Sequence, residues 1–169
     1  MARGITDLHT LMTIAATVGD ALAFEGIDFR ILRTAQSVAT VEALRSAGVE
    51  PEGCARAQLL KDAQGYVLTV TAATRVLDMD LLRRELHREL VPAGDDDLDD
   101  LFCDCEIGSV PPLGPWYRIP TVVDSSLREQ ANIFFDAGEP CALVQVTEQS
   151  FEKLLEGADY FAFSRRARS

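Results

Sequence analysis

The chain has 169 residues, 47% of them hydrophobic and 25% charged, with a net charge of −11. That length and apolar fraction predict one core rather than two, and its apolar stretches are interrupted well before the roughly 18 residues of a membrane span. The acidity argues against a protein that binds DNA or RNA mainly through a broad basic surface, while leaving room for contact with a single RNA end.

In chain order, Leu8, Leu11, Met12, Ala15, Val18 and Leu22 recur at helical spacing and Gly26 stands where a helix stops, predicting a first amphipathic helix. Ile27, Phe29 and Ile31 alternate with Asp28 and Arg30 and predict a strand. A short helix follows, capped by Ser37 or Thr40 and stopped at Gly48. Ala55 to Lys61 and Tyr66 to Thr71 flank Asp62-Ala63-Gln64-Gly65 as the two strands of a hairpin. Asp78 is placed to cap a helix carrying Met79, Leu82, Leu86 and Leu90 on one side, with His87 as a solvated surface histidine. Pro92-Ala93-Gly94 breaks that pattern. The acidic run from Asp95 to Asp100 then opens a short helix whose start favours carboxylates and whose face reads as solvated.

Further along, Ile119 to Val123, Ala131 to Phe135 and Cys141 to Val146 read as strands, and Thr147 caps a last helix that buries Phe151, Leu154 and Leu155. The ending Ser164-Arg165-Arg166-Ala167-Arg168-Ser169 is basic and reads as a frayed terminus. Strands outside a regular βαβ alternation predict an α/β fold of the α+β type: one compact domain with a mixed, largely antiparallel sheet flanked by helices. The expected divisions are an N-terminal helix over 1–23, the main domain over 24–156 and a basic tail over 157–169.

The most informative stretch is Cys105-Glu106-Ile107-Gly108-Ser109-Val110-Pro111-Pro112-Leu113-Gly114. Gly108 permits positive φ or a close backbone approach, and Pro111 and Pro112 stiffen the segment and hold Val110 extended. Such a loop offers the N–H groups of Gly108 and Ser109 as fixed donors to a carbonyl or a developing oxyanion. It also reads simply as a stiff connection between two elements. Four cysteines, at 54, 103, 105 and 141, form neither a C-x-x-C pair nor a disulfide framework, and His9 and His87 add no ligand spacing, so no metal and no cofactor are expected.

The GxxPPxG pattern, preceded by Leu101-Phe102-Cys103-Asp104-Cys105-Glu106, resembles the YbaK/prolyl-tRNA-synthetase-associated domain family. The resemblance extends through Leu59-Leu60-Lys61-Asp62 and Gly65-Tyr66-Val67-Leu68 upstream, and through Phe134-Phe135-Asp136-Ala137-Gly138 and Ser150-Phe151-Glu152 downstream, over roughly residues 24 to 156. It implies a trans-editing deacylase that hydrolyses the ester of mischarged aminoacyl-tRNA, with the tRNA 3′ end as partner and a synthetase as a second one; a cytoplasmic protein is the expectation from the interrupted apolar stretches and from an N-terminus without a basic region followed by an apolar one. It also implies a functional lysine early in the strand before the hairpin, a position that Arg56 occupies here. Lysine occurs only at Lys61 and Lys153, and Lys61 reads as an edge residue whose charge reaches water.

The expected site therefore has Arg56 orienting an ester or phosphate by its forked guanidinium, or else forming a structural salt bridge. Gly108 and Ser109 supply N–H donors, Phe29, Gln58, Leu60, Val110 and Pro111 shape the pocket, and the turn at Asp136 and Gly138 walls it. No histidine or other base is credibly placed to activate Ser109, so acyl-serine chemistry is the weaker option. The rival reading is a non-catalytic module that binds an aminoacyl-tRNA end, an amino acid or a nucleotide, or docks on a synthetase.

Overall fold

A computed structural model describes residues 14–106 and 108–167. Leu8, Leu11, Met12 and His9 lie outside the described residues. The first described helix, α1, spans Ala16–Phe24 and buries Val18, Ala21 and Leu22. The strand expected from Ile27 is displaced to β1, Arg30–Arg33, because Ile27 N bonds back to Leu22 O and closes the helix end instead of joining the sheet. Helix α2, Val41–Ser46, is capped by the Thr40 hydroxyl, which accepts from Ala43 N.

The hairpin forms as its pattern predicts. Strands β2, Cys54–Asp62, and β3, Gly65–Ala72, pair antiparallel from Ala55↔Ala72 to Asp62↔Gly65. The Asp62 carboxylate accepts from Gln64 N and Gly65 N and so closes the turn. After β4, Arg75–Leu77, Asp78 caps α3, Met79–Leu86, by accepting from Leu81 N. The helix stops four residues before Leu90 because His87 takes a left-handed conformation, φ 53°, and Arg83 Nε then donates to Leu90 O. Strand β5, Val91–Pro92, adds to β2, and Ala93 N bonds Leu59 O. The acidic helix α4 spans Asp95–Leu101.

The second half supplies β6, Thr121–Asp124, β7, Asn132–Asp136, β8, Ala142–Thr147, helix α5, Glu148–Leu154, and β9, Asp159–Phe161. The main sheet runs β1-β8-β7-β2-β3-β6-β9, with β5 beside β2. Its β2–β7, β3–β6 and β6–β9 pairs are parallel and the others antiparallel, so it is mixed. The central core joins α1, α5 and the sheet through Leu22, Val70, Val123, Ile133, Phe135 and Phe151.

Three local expectations are corrected. The basic ending is not frayed over Ser164–Arg166, which forms β10 antiparallel to β4. Lys61 does not simply reach water: its Nζ donates to Asp97 Oδ2 at 2.8 Å, and the Tyr66 hydroxyl donates to the other oxygen at 2.6 Å. The acidic run is thus not wholly a solvated face, since Asp97 ties α4 down onto the β2–β3 hairpin. Its hydrogen bonds from Lys61 and Tyr66 hold the Asp97 carboxyl down to about 2.

Candidate functional site

The loop between Phe102 and Gly114 is fixed at several points. Asp104 receives hydrogen bonds from Thr17 N at 2.9 Å and from the Tyr117 hydroxyl at 3.0 Å, so it caps the start of α1 across the chain. Burial pushes this carboxyl up, but the bonds from Thr17, Tyr117 and Cys105 outweigh burial and leave it below the usual range. Glu106 N donates to Gly138 O at 2.8 Å, and Ser109 N donates to Glu106 O at 3.1 Å. Ile107 lies outside the described residues.

The loop's glycines serve different ends. Gly108 has φ +82° and open space where a Cβ would stand, so backbone conformation and not close contact selects glycine. At Gly114 a Cβ would collide with Thr121 Oγ1 and stand 3.0 Å from Ile119 O, so close packing selects it.

Across from this loop, the parallel register of β2 and β7 aligns Cys54 with Phe134 and Ala55 with Phe135, which brings Arg56 beside Asp136 from 80 positions away. Arg56 Nη1 donates to Asp136 Oδ2 at 3.2 Å and Oδ1 at 3.4 Å, and Nη2 donates to the Val38 carbonyl. Asp136 is only 8% exposed. Burial raises its carboxyl above the ordinary range, and the nearby Arg56 charge only partly opposes that rise. The guanidinium is thereby fixed on one edge by a carboxylate and on another by backbone.

Between loop and strand lies a cavity of about 330 Å³ lined by residues that include Arg56, Gln58, Gly108, Val110 and Asp136. Five of the ten residues expected at a site are thus brought together. The other five lie elsewhere. Phe29 packs on the central core, and Leu60, fully buried, packs with Leu82, Leu90 and Phe163 beneath α3. Pro111 is buried outside the lining. Ser109 is buried with its N–H bonded to Glu106, so it presents no free backbone donor. Gly138, φ +96°, sits against Ala15, where a Cβ would approach the Ala15 Cβ to 2.5 Å, and its carbonyl docks the motif loop.

Sequence reasoning missed Ala39, Ala57, Leu59, Pro92, Ala93 and Leu98, which complete the cavity wall. The one readable signal for them was the Pro92-Ala93-Gly94 break, which returns the chain to β2 and sets α4 beside the cavity. Two thiols near the site, those of Cys54 and Cys105, are held in the protonated form. Burial pushes Cys54 up to about 11 and Cys105 up to about 12, so neither is a thiolate nucleophile at neutral pH.

Comparison with known proteins adds the family. No curated protein matches the chain. Among solved structures, a scaffold from work on epitope backbone grafting by computational design is 21% identical with a TM-score of 0.78, covering 90% of this chain and 97% of that one. A candidate trans-editing enzyme for prolyl tRNA synthetase is 24% identical with a TM-score of 0.75, covering 89% and 96%. A candidate signal transduction protein from Marinobacter aquaeolei VT8 is 20% identical with a TM-score of 0.72, and the match spans 88% of this chain but 30% of that longer one. At these identities the likenesses show a shared fold. The aminoacyl-tRNA editing domain model matches residues 35–154, a span that holds Arg56, Gln58, the Gly108 loop and Asp136 alike, and the chain belongs to the aminoacyl-tRNA editing domain family.

Proposed function

We propose that the chain hydrolyses the ester linking an amino acid to the terminal ribose of a mischarged tRNA, acting in trans. The observation that carries this reading is the cavity joining Arg56, Gln58, Gly108 and Asp136 within the editing-domain match. The solved structure described as a candidate trans-editing enzyme for prolyl tRNA synthetase supports the same assignment.

In this reading Asp136 and the Val38 carbonyl hold the Arg56 fork in one orientation, and its remaining donors face the ester or the adjoining phosphate. The Gly108 backbone supplies the stabilisation of the carbonyl oxygen that Ser109, bonded within its own turn, does not. A water adds to the ester carbon, the C–O bond to ribose breaks, and the water's proton ends on the departing ribose oxygen. Arginine stays protonated throughout, so the proton passes through water and substrate hydroxyl groups and not through Arg56.

A second reading has one observation in its favour. Arg56 stands where the family resemblance implies lysine, and its guanidinium already has a carboxylate and a carbonyl as partners. A binding module that recognises the aminoacyl end without turnover fits that arrangement. Incubation with alanyl-, cysteinyl-, seryl- and correctly charged tRNAs separates the two, with deacylation above background supporting the enzyme and saturable binding without turnover supporting the module. Gly108→Val and Arg56→Lys are expected to change the rate, and unchanged rates in both would remove this site assignment.

A further inference from the structure

Strand β2 has one interrupted edge, and the interruption lies in the wall of the cavity. On one side β2 pairs with β3 from Ala55 to Asp62, whereas on the other it pairs with β7 only at Cys54 and Ala55 and with β5 only at Leu60 and Lys61. Ala93 N also bonds Leu59 O, so the open stretch runs from Arg56 to Gln58, about 10 Å of strand.

The backbone groups of successive strand residues turn to alternate edges. Cys54 O accepts from Ala73 N, just past β3, and Gln58 O accepts from the Thr69 hydroxyl on β3, so the even-numbered residues of β2 face β3. Leu59 O accepts from Ala93 N on the opposite side, so the odd-numbered residues face the open edge. Ala57 is therefore the one residue of the gap whose N–H and C=O both turn away from β3, toward the cavity it lines. Among the described residues neither group has a hydrogen-bond partner. Ala57 is half-buried, and main-chain donors and acceptors in such a wall are satisfied by water or by a ligand.

One donor and one acceptor on a single strand residue are complemented by a single amino acid. In an antiparallel hydrogen-bonded pair the two opposed residues exchange both of their N–H···O bonds. An aminoacyl group laid opposite Ala57 offers its ester carbonyl to the N–H and its α-ammonium to the C=O. Charge sets the same direction. Along β2 the Ala57 N–H lies on the Arg56 side and the C=O on the Leu59 side, so the ester carbonyl comes beside the Arg56 guanidinium. The ammonium then points to the end of the cavity walled by Leu98 of α4, whose Asp95, Asp96, Asp99 and Asp100 are exposed. The reverse direction would set the ammonium against the guanidinium.

We infer that the open edge of β2 at Ala57 reads the main chain of the bound amino acid, its C=O accepting from a free α-ammonium and its N–H joining Gly108 as a second donor to the ester carbonyl. The inference rests on the aminoacyl-tRNA reading of the cavity and narrows its substrate class to esters of amino acids with an unblocked α-amino group. A further residue on the α-nitrogen has no room where β5 begins at Leu60, so N-acylated and peptidyl esters are excluded.

The test is amide hydrogen exchange of Ala57 read by NMR, with alanyl-, cysteinyl- and seryl-adenosine carrying an amide in place of the ester as probes. In the free protein the Arg56 and Gln58 amides, turned to β3, should exchange slowly and that of Ala57 fast. A saturating probe is expected to slow Ala57 exchange about tenfold or more. Propionyl-adenosine, which is the alanyl probe without its α-amino group, should bind about tenfold more weakly than alanyl-adenosine, the loss expected for one hydrogen bond from a charged donor. Ala57→Pro deletes the N–H at an edge where it serves no ladder, and should weaken all of these probes. The exchange and the propionyl comparison use the unaltered protein, so they decide the matter whether or not the proline variant folds. Slow Ala57 exchange without a probe, exchange unchanged by all three aminoacyl probes, or propionyl-adenosine binding as tightly as alanyl-adenosine overturns the inference. Protection of Ala57 without release of amino acid from any charged tRNA keeps this recognition and removes the hydrolytic reading alone, whereas release with Ala57 unprotected does the reverse.

Discussion

Replacing Arg56 with alanine isolates the electrostatics on which the candidate site is built. Asp136, 8% exposed, would keep its burial and lose the cation whose Nη1 lies 3.2 Å from Oδ2. At that distance and an effective dielectric of about 20 the direct attraction is roughly 5 kcal/mol before desolvation is subtracted. The net cost has a ceiling, because the stranded carboxyl can take up a proton. Holding it neutral costs about 1.4 kcal/mol per pH unit above the unfolded value, hence about 4 kcal/mol at pH 7 and about 1.5 kcal/mol at pH 5.

Asp136 is already raised in the native protein. A raised carboxyl contributes stability that is fully present below its unfolded pKa and is lost as pH rises through the folded one. Removing Arg56 extends that loss to higher pH, so the variant's deficit should grow from acid to neutral. Urea denaturation from about pH 5 to pH 7 reads this directly, and adding Asp136→Asn should restore most of the loss at pH 7. A deficit under about 1 kcal/mol, or one that stays flat with pH, would refute the claim that the pair is a buried, mutually dependent unit.

Gly138→Val combines a disfavoured positive φ with a Cβ 2.5 Å from that of Ala15, and should cost about 2–4 kcal/mol and release the Gly138 O bond to Glu106, read as lost amide protection there. Leu60→Ala empties a fully buried position beneath α3 and should cost about 2–5 kcal/mol, whereas Gln58→Ala, exposed in the cavity, should leave the melting temperature almost unchanged and weaken aminoacyl-adenosine binding. Asp97 and Asp62 are both held down to about 2, so the stability they add is present above the ordinary carboxyl range and is lost as pH falls from about 4 toward 2. Asp97→Asn should therefore flatten the acid limb of the stability profile in that window.

The local grammar of the chain was legible wherever a single residue type answers to a single geometry. Asp62-Ala63-Gln64-Gly65 closes the hairpin, and Thr40, Asp78 and Thr147 cap the helices that follow them. Pairings between distant segments were not, because nothing in Arg56 or Asp136 encodes the parallel β2–β7 register that joins them. Strand alternation placed Leu60 with Arg56 and Gln58 but did not show that α3 covers that end of β2, which makes Leu60 core. The motif loop was located correctly by its glycines and prolines, yet its hydrogen bonding depended on Thr17 in α1, which donates to Asp104, and on Gly138 beyond β7, which accepts from Glu106. β10 was missed because three polar residues near a terminus carry no apolar alternation, and their order comes from Arg75 and Asp124 instead.

The cavity lined by Arg56 and Gly108 is proposed to hydrolyse the ester of mischarged tRNA. The most direct measurement is the rate at which purified protein releases labelled amino acid from a panel of correctly and incorrectly charged tRNAs. Release above the spontaneous rate is expected for at least one mischarged species, reduced by Gly108→Val in a variant that remains folded. Release at the spontaneous rate across the whole panel would contradict it.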